Sequence, residues 1–78
     1  PMAANLPSVM TRDEAIEEFE TCPYAGLQSA IRTYEADGIP DWPARREAWN
    51  NFTDMLCKDG RISDWQYNNW SQPECCGD

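Results

Sequence analysis

The chain contains no histidine, few basic residues and no long apolar segment. Histidine is the side chain that most often transfers protons near neutral pH, so its absence removes the usual general acid or base. No stretch approaches the roughly 20 apolar residues of a membrane-spanning helix, and no signal-peptide pattern begins the chain. We therefore expect a cytoplasmic protein that does not associate with membranes.

Positive charge is scarce. Six Lys and Arg residues stand against fourteen Asp and Glu, which gives a formal net charge of −8. Such a surface repels the phosphates of nucleic acids and attracts basic protein surfaces. We expect no direct DNA binding and a partner protein with a basic surface.

The chain also lacks a Cys-x-x-Cys pair, the usual half of a zinc site. Its cysteines are Cys22, Cys57, Cys75 and Cys76. Without histidine, a zinc ion would need all four as thiolates, and adjacent cysteines rarely suit tetrahedral geometry. A disulfide framework would require export, for which there is no signal. We expect reduced thiols and neither a metal nor another cofactor; zinc on the four cysteines is the alternative.

Aromatic residues are abundant: four Trp, three Tyr and two Phe occur in 78 residues. All four tryptophans lie between positions 42 and 70. Large aromatic side chains can form the core of a chain this short. We predict one helical domain over residues 11–71, a flexible N-terminal arm over residues 1–10 and a C-terminal tail over residues 72–78.

The first helix is predicted over residues 12–22, because Thr11 and Glu14 have the spacing of a capping box. Its apolar positions share one face: Ala15, Ile16, Phe19 and Cys22. Its carboxylates share the other: Asp13, Glu14, Glu17, Glu18 and Glu20. This acidic face is a candidate partner-binding surface, although charged helix faces are most often simply solvated.

Pro23 and Gly38 delimit a second helix, predicted over residues 24–36. Its inner positions are Tyr24, Leu27, Ala30, Ile31 and Tyr34. Asp41 is the predicted N-cap of a third helix that stops at Gly60. The inner face of this helix is predicted to hold Ala48, Trp49, Phe52, Met55 and Leu56, and its outer face Arg45, Arg46, Glu47, Asn50 and Asp54.

A fourth helix is predicted over residues 64–70, since Ser63 and Gln66 form another capping box. Ile62 can pack back over the end of the third helix. No segment alternates with the period of a strand. The sequence predicts an all-α single small domain of about four short helices, with a helix-loop-helix in its C-terminal half.

Two functions associated with a helix-loop-helix are disfavoured. If Gly60 occupies the sixth position of a calcium-binding EF-hand loop, Asp59 is the one expected side-chain ligand left. If the fourth helix entered a DNA groove, it would lack the basic neighbours that hold phosphates. Nor does any serine or cysteine have an activating partner at motif spacing, so we predict that the protein is not an enzyme.

The fourth helix is too short to bury Trp65, Tyr67 and Trp70 around its whole circumference. At least one of them should be partly exposed or covered by a partner, and exposed aromatic side chains are typical of interfaces. These three residues complete the predicted partner-binding set that begins with the acidic face of the first helix. Packing against the N-terminal arm is the alternative.

Residues 47–70, EAWNNFTDMLCKDGRISDWQYNNW, resemble a segment of small acidic accessory proteins of bacteriophages and other mobile elements. The resemblance assigns no residue a role. It implies a protein that acts in the bacterial cytoplasm by binding and blocking a host protein, for example a host defence complex such as a CRISPR effector. An anti-CRISPR type of inhibitor, monomeric or dimeric, is thus the hypothesis; a structural or regulatory module that homodimerises through exposed aromatics is the alternative.

Overall fold

The computed structural model describes residues 9–77. These residues form four α-helices and one turn of 3-10 helix, with no β-strand among them. The elements are α1 (Arg12–Thr21), α2 (Leu27–Tyr34), α3 (Trp42–Lys58), α4 (Asp64–Asn69) and the 3-10 turn (Glu74–Cys76). The predicted all-α fold with four short helices is confirmed. The first eight residues of the predicted N-terminal arm, and Asp78, lie outside the described residues.

Helix starts follow the capping signals of the sequence. The amide of Glu14 donates to the hydroxyl of Thr11 at 3.1 Å, and the carboxylate of Glu14 accepts from the amide of Thr11 at 2.8 Å. Ser63 and Gln66 form the same reciprocal pair at the start of α4. The Asp41 carboxylate caps α3 by accepting from the third amide of that helix. All three predicted helix starts are confirmed. They can be predicted from the sequence because capping depends on neighbours within one turn.

The core is built around Phe19, which is fully buried. The ring of Trp49 meets it edge-on with centroids 5.2 Å apart, and that of Phe52 with centroids 5.5 Å apart. Edge-to-face contacts of this kind add to the stabilisation that burial alone provides. α3 contributes three of the eight buried residues of the core cluster, more than any other element, and contacts α1, α2, α4 and the 3-10 turn. It is the central helix of the domain.

α2 is shorter than the sequence predicts. It begins at Leu27 rather than at residue 24, because Gly26 has a φ of 75° and stops the helix on its N-terminal side. A Cβ at Gly26 would lie 2.7 Å from the carbonyl oxygen of Phe19, so the turn carries the chain directly over α1. Tyr24 therefore lies outside the helix and is 89% exposed, and Tyr34 is also exposed. The prediction that both tyrosines face the core is wrong.

Two positions on α3 also differ from the prediction. Arg45, predicted on the outer face, is largely buried, since its guanidinium pairs with the buried carboxylate of Glu35. Met55, predicted on the inner face, is 40% exposed. The two differences have one origin: the inner face of a 17-residue helix contacts several elements in different directions, which a single helical wheel does not represent.

The segment predicted as a C-terminal tail folds back against α3. Pro73 and Cys76 are buried. The Arg45 guanidinium donates to the carbonyl of Cys75 at 2.9 Å, and the Cys76 thiol donates to the carbonyl of Arg45 at 3.3 Å. Through Gly77 this segment is part of the packed domain.

The helix-loop-helix of the C-terminal half is confirmed. Gly60 has a φ of 76°, and the following amide, of Arg61, donates to the carbonyl of Leu56 at 2.9 Å. This hydrogen bond gives the Leu56 carbonyl, near the end of α3, a partner. The turn also lets Ile62 pack into the core, where it is 3% exposed. No helix within residues 9–77 has the length and apolar character needed to cross a membrane.

Candidate protein-binding surfaces

Four residues on the acidic face of α1 are exposed, and three of them, Asp13, Glu17 and Glu20, take no part in the capping of the helix. These side chains form no ion pair with the described residues. Because α1 is held by its capping box and by the buried Ala15 and Phe19, the carboxylates project from a fixed backbone. They are the part of the predicted acidic face that remains available to a partner.

The other two predicted acids already have intramolecular roles. Hydrogen bonds from the amide and hydroxyl of Thr11 hold the pKa of Glu14 below its ordinary value of 4.5. The Glu18 carboxylate accepts from the guanidinium of Arg61 at 3.0 Å. Its second oxygen, Oε2, is buried and has no hydrogen-bond partner among the described residues. Glu14 and Glu18 thus also take part in contacts that stabilise the fold.

On α4, the three predicted aromatic residues are not equivalent. Trp65 is 68% exposed, whereas Tyr67 and Trp70 are half-buried and pack against the core. The prediction that at least one of the three is partly exposed is confirmed. Trp65 is the α4 aromatic with a large surface left for a partner.

α4 lies beside α1. The amide of the Gln66 side chain donates to the carbonyl of Met10 at 2.8 Å, just before α1. Arg61, which precedes α4, pairs with Glu18, and the guanidinium of Arg12 donates to the carbonyl of Ser71 at 2.9 Å, just after α4. These contacts connect α4 to α1, but none of them is made by Trp65, Tyr67 or Trp70.

A second surface is a groove of about 420 Å³ between α2 and α3. Ala30 of α2 and Ala48 of α3 are among the residues that line it, and the exposed Tyr24 and Tyr34 border it. The sequence places both tyrosines on an inner face and so does not indicate this groove. Gly26 is the signal that could have done so, because a glycine inside a predicted helix often marks its end.

Three of the four thiols are poorly suited to nucleophilic chemistry. Burial, with the neighbouring Cys75 next in effect, raises the pKa of Cys76 to about 12. Burial also raises the pKa of Cys75, and a hydrogen bond to the Asp64 carboxylate raises that of Cys57. These three thiols stay protonated at neutral pH, whereas nucleophilic attack requires the thiolate.

Within residues 9–77 no group of three or more acidic or cysteine side chains is placed to hold a metal ion. No protein-family model, no curated protein and no solved structure matches the chain. Its function has to be inferred from its own surfaces.

Proposed function

We propose that this chain is a non-enzymatic protein that binds a partner protein through a basic surface of that partner and blocks it. The observation that carries the proposal is the exposed indole of Trp65 on a helix that lies beside the acidic face of α1. An exposed tryptophan and fixed charges on a second, connected helix are the two properties that protein interfaces use most.

The two parts of this surface have different roles in binding. Asp13, Glu17 and Glu20, within a chain of net charge −8, attract a basic surface and orient it during encounter. The indole of Trp65 then supplies apolar contact area, which is the type of contact that dominates measured binding energy. Charge governs the association rate and the indole governs the lifetime of the complex.

Blocking is favoured over catalysis by the chemistry of the side chains. The chain has no histidine, and Cys57, Cys75 and Cys76 have raised pKa values that keep them protonated at neutral pH. The negative charge also argues that the partner's basic region, rather than DNA itself, is what the chain contacts.

The resemblance of residues 47–70 to accessory proteins of mobile elements adds a context to this proposal. A basic surface on a bacterial host protein is often one that binds nucleic acid. The proposed role is therefore inhibition of such a host protein in the bacterial cytoplasm, with a defence complex such as a CRISPR effector as the leading class.

The proposal is tested by capture of a partner from bacterial lysate with the tagged chain, identification of that partner, and measurement of binding to the purified partner. Glu17→Lys should slow association, by about tenfold at low salt, and the effect should shrink as salt rises. Trp65→Ala should speed dissociation, by roughly tenfold or more.

Asp59→Lys is the matched control for Glu17→Lys, since it makes the same change in net charge at an exposed residue that is not part of α1. Equal effects of the two reversals would show that net charge, not the α1 surface, is responsible. Sedimentation of the purified chain tests the alternative: a tight dimer that is lost in Trp65→Ala would support a homodimerising module instead of an inhibitor.

A further inference from the structure

The groove between α2 and α3 is long enough to hold several turns of a helix. On α3 its lining includes Ala44, Ala48, Asn51 and Met55, which recur every three to four residues and so share one face. At 1.5 Å per residue this face is about 16 Å long, or three helical turns. Small side chains along it let another backbone approach closely, and the exposed Tyr24 and Tyr34 can pack against the sides of a bound helix.

Charge defines what kind of helix fits. Among the described residues that line the groove, Glu47 alone carries a charge. It is exposed, and the ion pairs formed within residues 9–77 do not include it. A carboxylate that borders an apolar groove favours an occupant with a lysine or arginine next to its apolar face.

We propose that this groove binds an amphipathic helix of a partner protein, with apolar side chains turned into the groove and a lysine or arginine paired with Glu47. This is the helix-in-groove mode of recognition, in which anchors recur at i, i+3 or i+4, and i+7. The net charge of −8 strengthens the preference for a basic helix. The same charge opposes a second copy of the chain as the occupant, since two copies would repel each other.

This inference goes beyond the proposed function, because the groove shares no residue with the acidic face of α1 or with the α4 aromatics. The groove can bind a helix even if the proposed function is wrong. The two sites can also bind two parts of one partner, which would raise the overall affinity of the complex.

The test is selection of a displayed library of helical peptides, about 14 residues long, on the folded full-length chain. One face of each peptide is varied among apolar residues, and the flanking positions among lysine, arginine, glutamate, aspartate and glutamine. We expect enrichment of peptides with lysine or arginine at a fixed distance from the apolar anchors. Their binding is then measured by fluorescence anisotropy.

Asn51→Trp places a large side chain at the groove, and Asn50→Trp places the same side chain at the adjacent exposed position outside it. The first should weaken peptide binding by about tenfold or more, and the second should leave it unchanged. Glu47→Lys should also weaken binding by about tenfold, whereas Asp59→Lys should have little effect.

Circular dichroism establishes that each variant is folded. If Asn51→Trp perturbs the packing of the domain, the loss of peptide binding in Glu47→Lys decides the test. Failure to enrich any peptide, enrichment of acidic peptides, or equal loss in Asn50→Trp and Asn51→Trp would overturn the inference. So would dimerisation through the groove. Glu17→Lys and Trp65→Ala should still bind the selected peptides, which separates this result from the outcome of the proposed function.

Discussion

At the residue scale, the contact between Glu35 and Arg45 connects more of the molecule than any local motif. Both carboxylate oxygens of Glu35 accept from the Arg45 guanidinium at 2.6 Å, and one also accepts from the amide of Asp41 at 3.0 Å. The remaining guanidinium nitrogen donates to the carbonyl of Cys75, and the guanidinium lies 5.1 Å from the ring centroid of Trp42. This pair ties the end of α2, the start of α3 and the C-terminal segment together.

Glu35→Gln should lower the melting temperature, because it leaves the guanidinium of Arg45 largely buried without its counter-charge. The expected decrease is roughly 5 to 15 °C for a domain of this size. Glu47→Gln is the control, since Glu47 is an exposed glutamate on α3 and should change the melting temperature little. Thermal unfolding followed by circular dichroism gives both values; equal melting temperatures for the two variants would contradict the role assigned to Glu35.

The same pair predicts how stability depends on pH. Hydrogen bonds from Arg45 hold the pKa of Glu35 below its ordinary value of 4.5 in the folded chain. Its contribution to stability is therefore complete above about pH 4.5 and is lost as pH falls through the lower folded pKa. The difference in stability between the wild-type chain and Glu35→Gln should therefore shrink as pH falls below about 4.5. Urea unfolding across this range measures it, and a difference that widens on acidification would exclude the mechanism.

At the scale of elements, the sequence predicts the helix ends that depend on contacts within one turn of helix. The capping pairs at Thr11 and Ser63 and the stop at Gly60 involve neighbours a few residues apart, so their patterns are visible in the chain. The start of α2 depends on the contact between Gly26 and Phe19, seven residues earlier on another helix. No helical periodicity reports such a contact, and for this reason Tyr24 and Tyr34 were not predictable as exposed.

Gly26→Ala should strongly destabilise the turn between α1 and α2. The residue has a positive φ, and its new Cβ would lie 2.7 Å from the Phe19 carbonyl oxygen, a backbone atom that cannot move without shifting α1. Gly38→Ala is the matched control: its φ is 81°, but nothing lies within 4 Å of the new Cβ. We expect a loss of about 1 kcal/mol for Gly38→Ala and about 3 kcal/mol or more for Gly26→Ala.

Denaturant titration of both glycine variants provides the comparison. Similar losses of unfolding free energy would mean that backbone conformation alone is responsible and that the approach to Phe19 is unimportant.

At the scale of the whole molecule, the domain is completed by its last residues. The 3-10 turn contacts α3, Cys76 is fully buried, and a Cβ at Gly77 would lie 3.1 Å from the ring of Trp42. A tail was the natural prediction from Pro73 and Gly77, because proline and glycine interrupt helices. Composition does not reveal that the carbonyl groups of this segment bind Arg45, since that contact joins positions 30 residues apart.

Removal of residues 73–78 should lower the free energy of unfolding by about 2 to 4 kcal/mol, because it uncovers part of α3 and removes the carbonyl partner of Arg45. Removal of Asp78 alone is the control and retains every contact described for residues 9–77. Chemical denaturation of the two truncated chains measures the difference. An unchanged free energy after the larger truncation would show that this segment does not stabilise the domain.

For the candidate surfaces, as for the fold, some features can be predicted from the sequence and others cannot. The exposed acids of α1 and the exposure on α4 follow from local spacing and from the small size of α4, so the sequence predicts them. The groove requires two helices to be placed side by side, and its charge preference depends on Glu47 having no ion pair within residues 9–77. Both are properties of the assembled domain.

The contrast between Trp49, which is 5% exposed, and Trp65, which is 68% exposed, gives the molecule two optically different indoles. A collisional quencher such as acrylamide should reach Trp65 and not Trp49. Trp42 is also 42% exposed and would be quenched as well, so the comparison is made in the Trp42→Phe variant. There, loss of quenching identifies an occupant on α4, which shields Trp65, and retained quenching identifies one between α2 and α3.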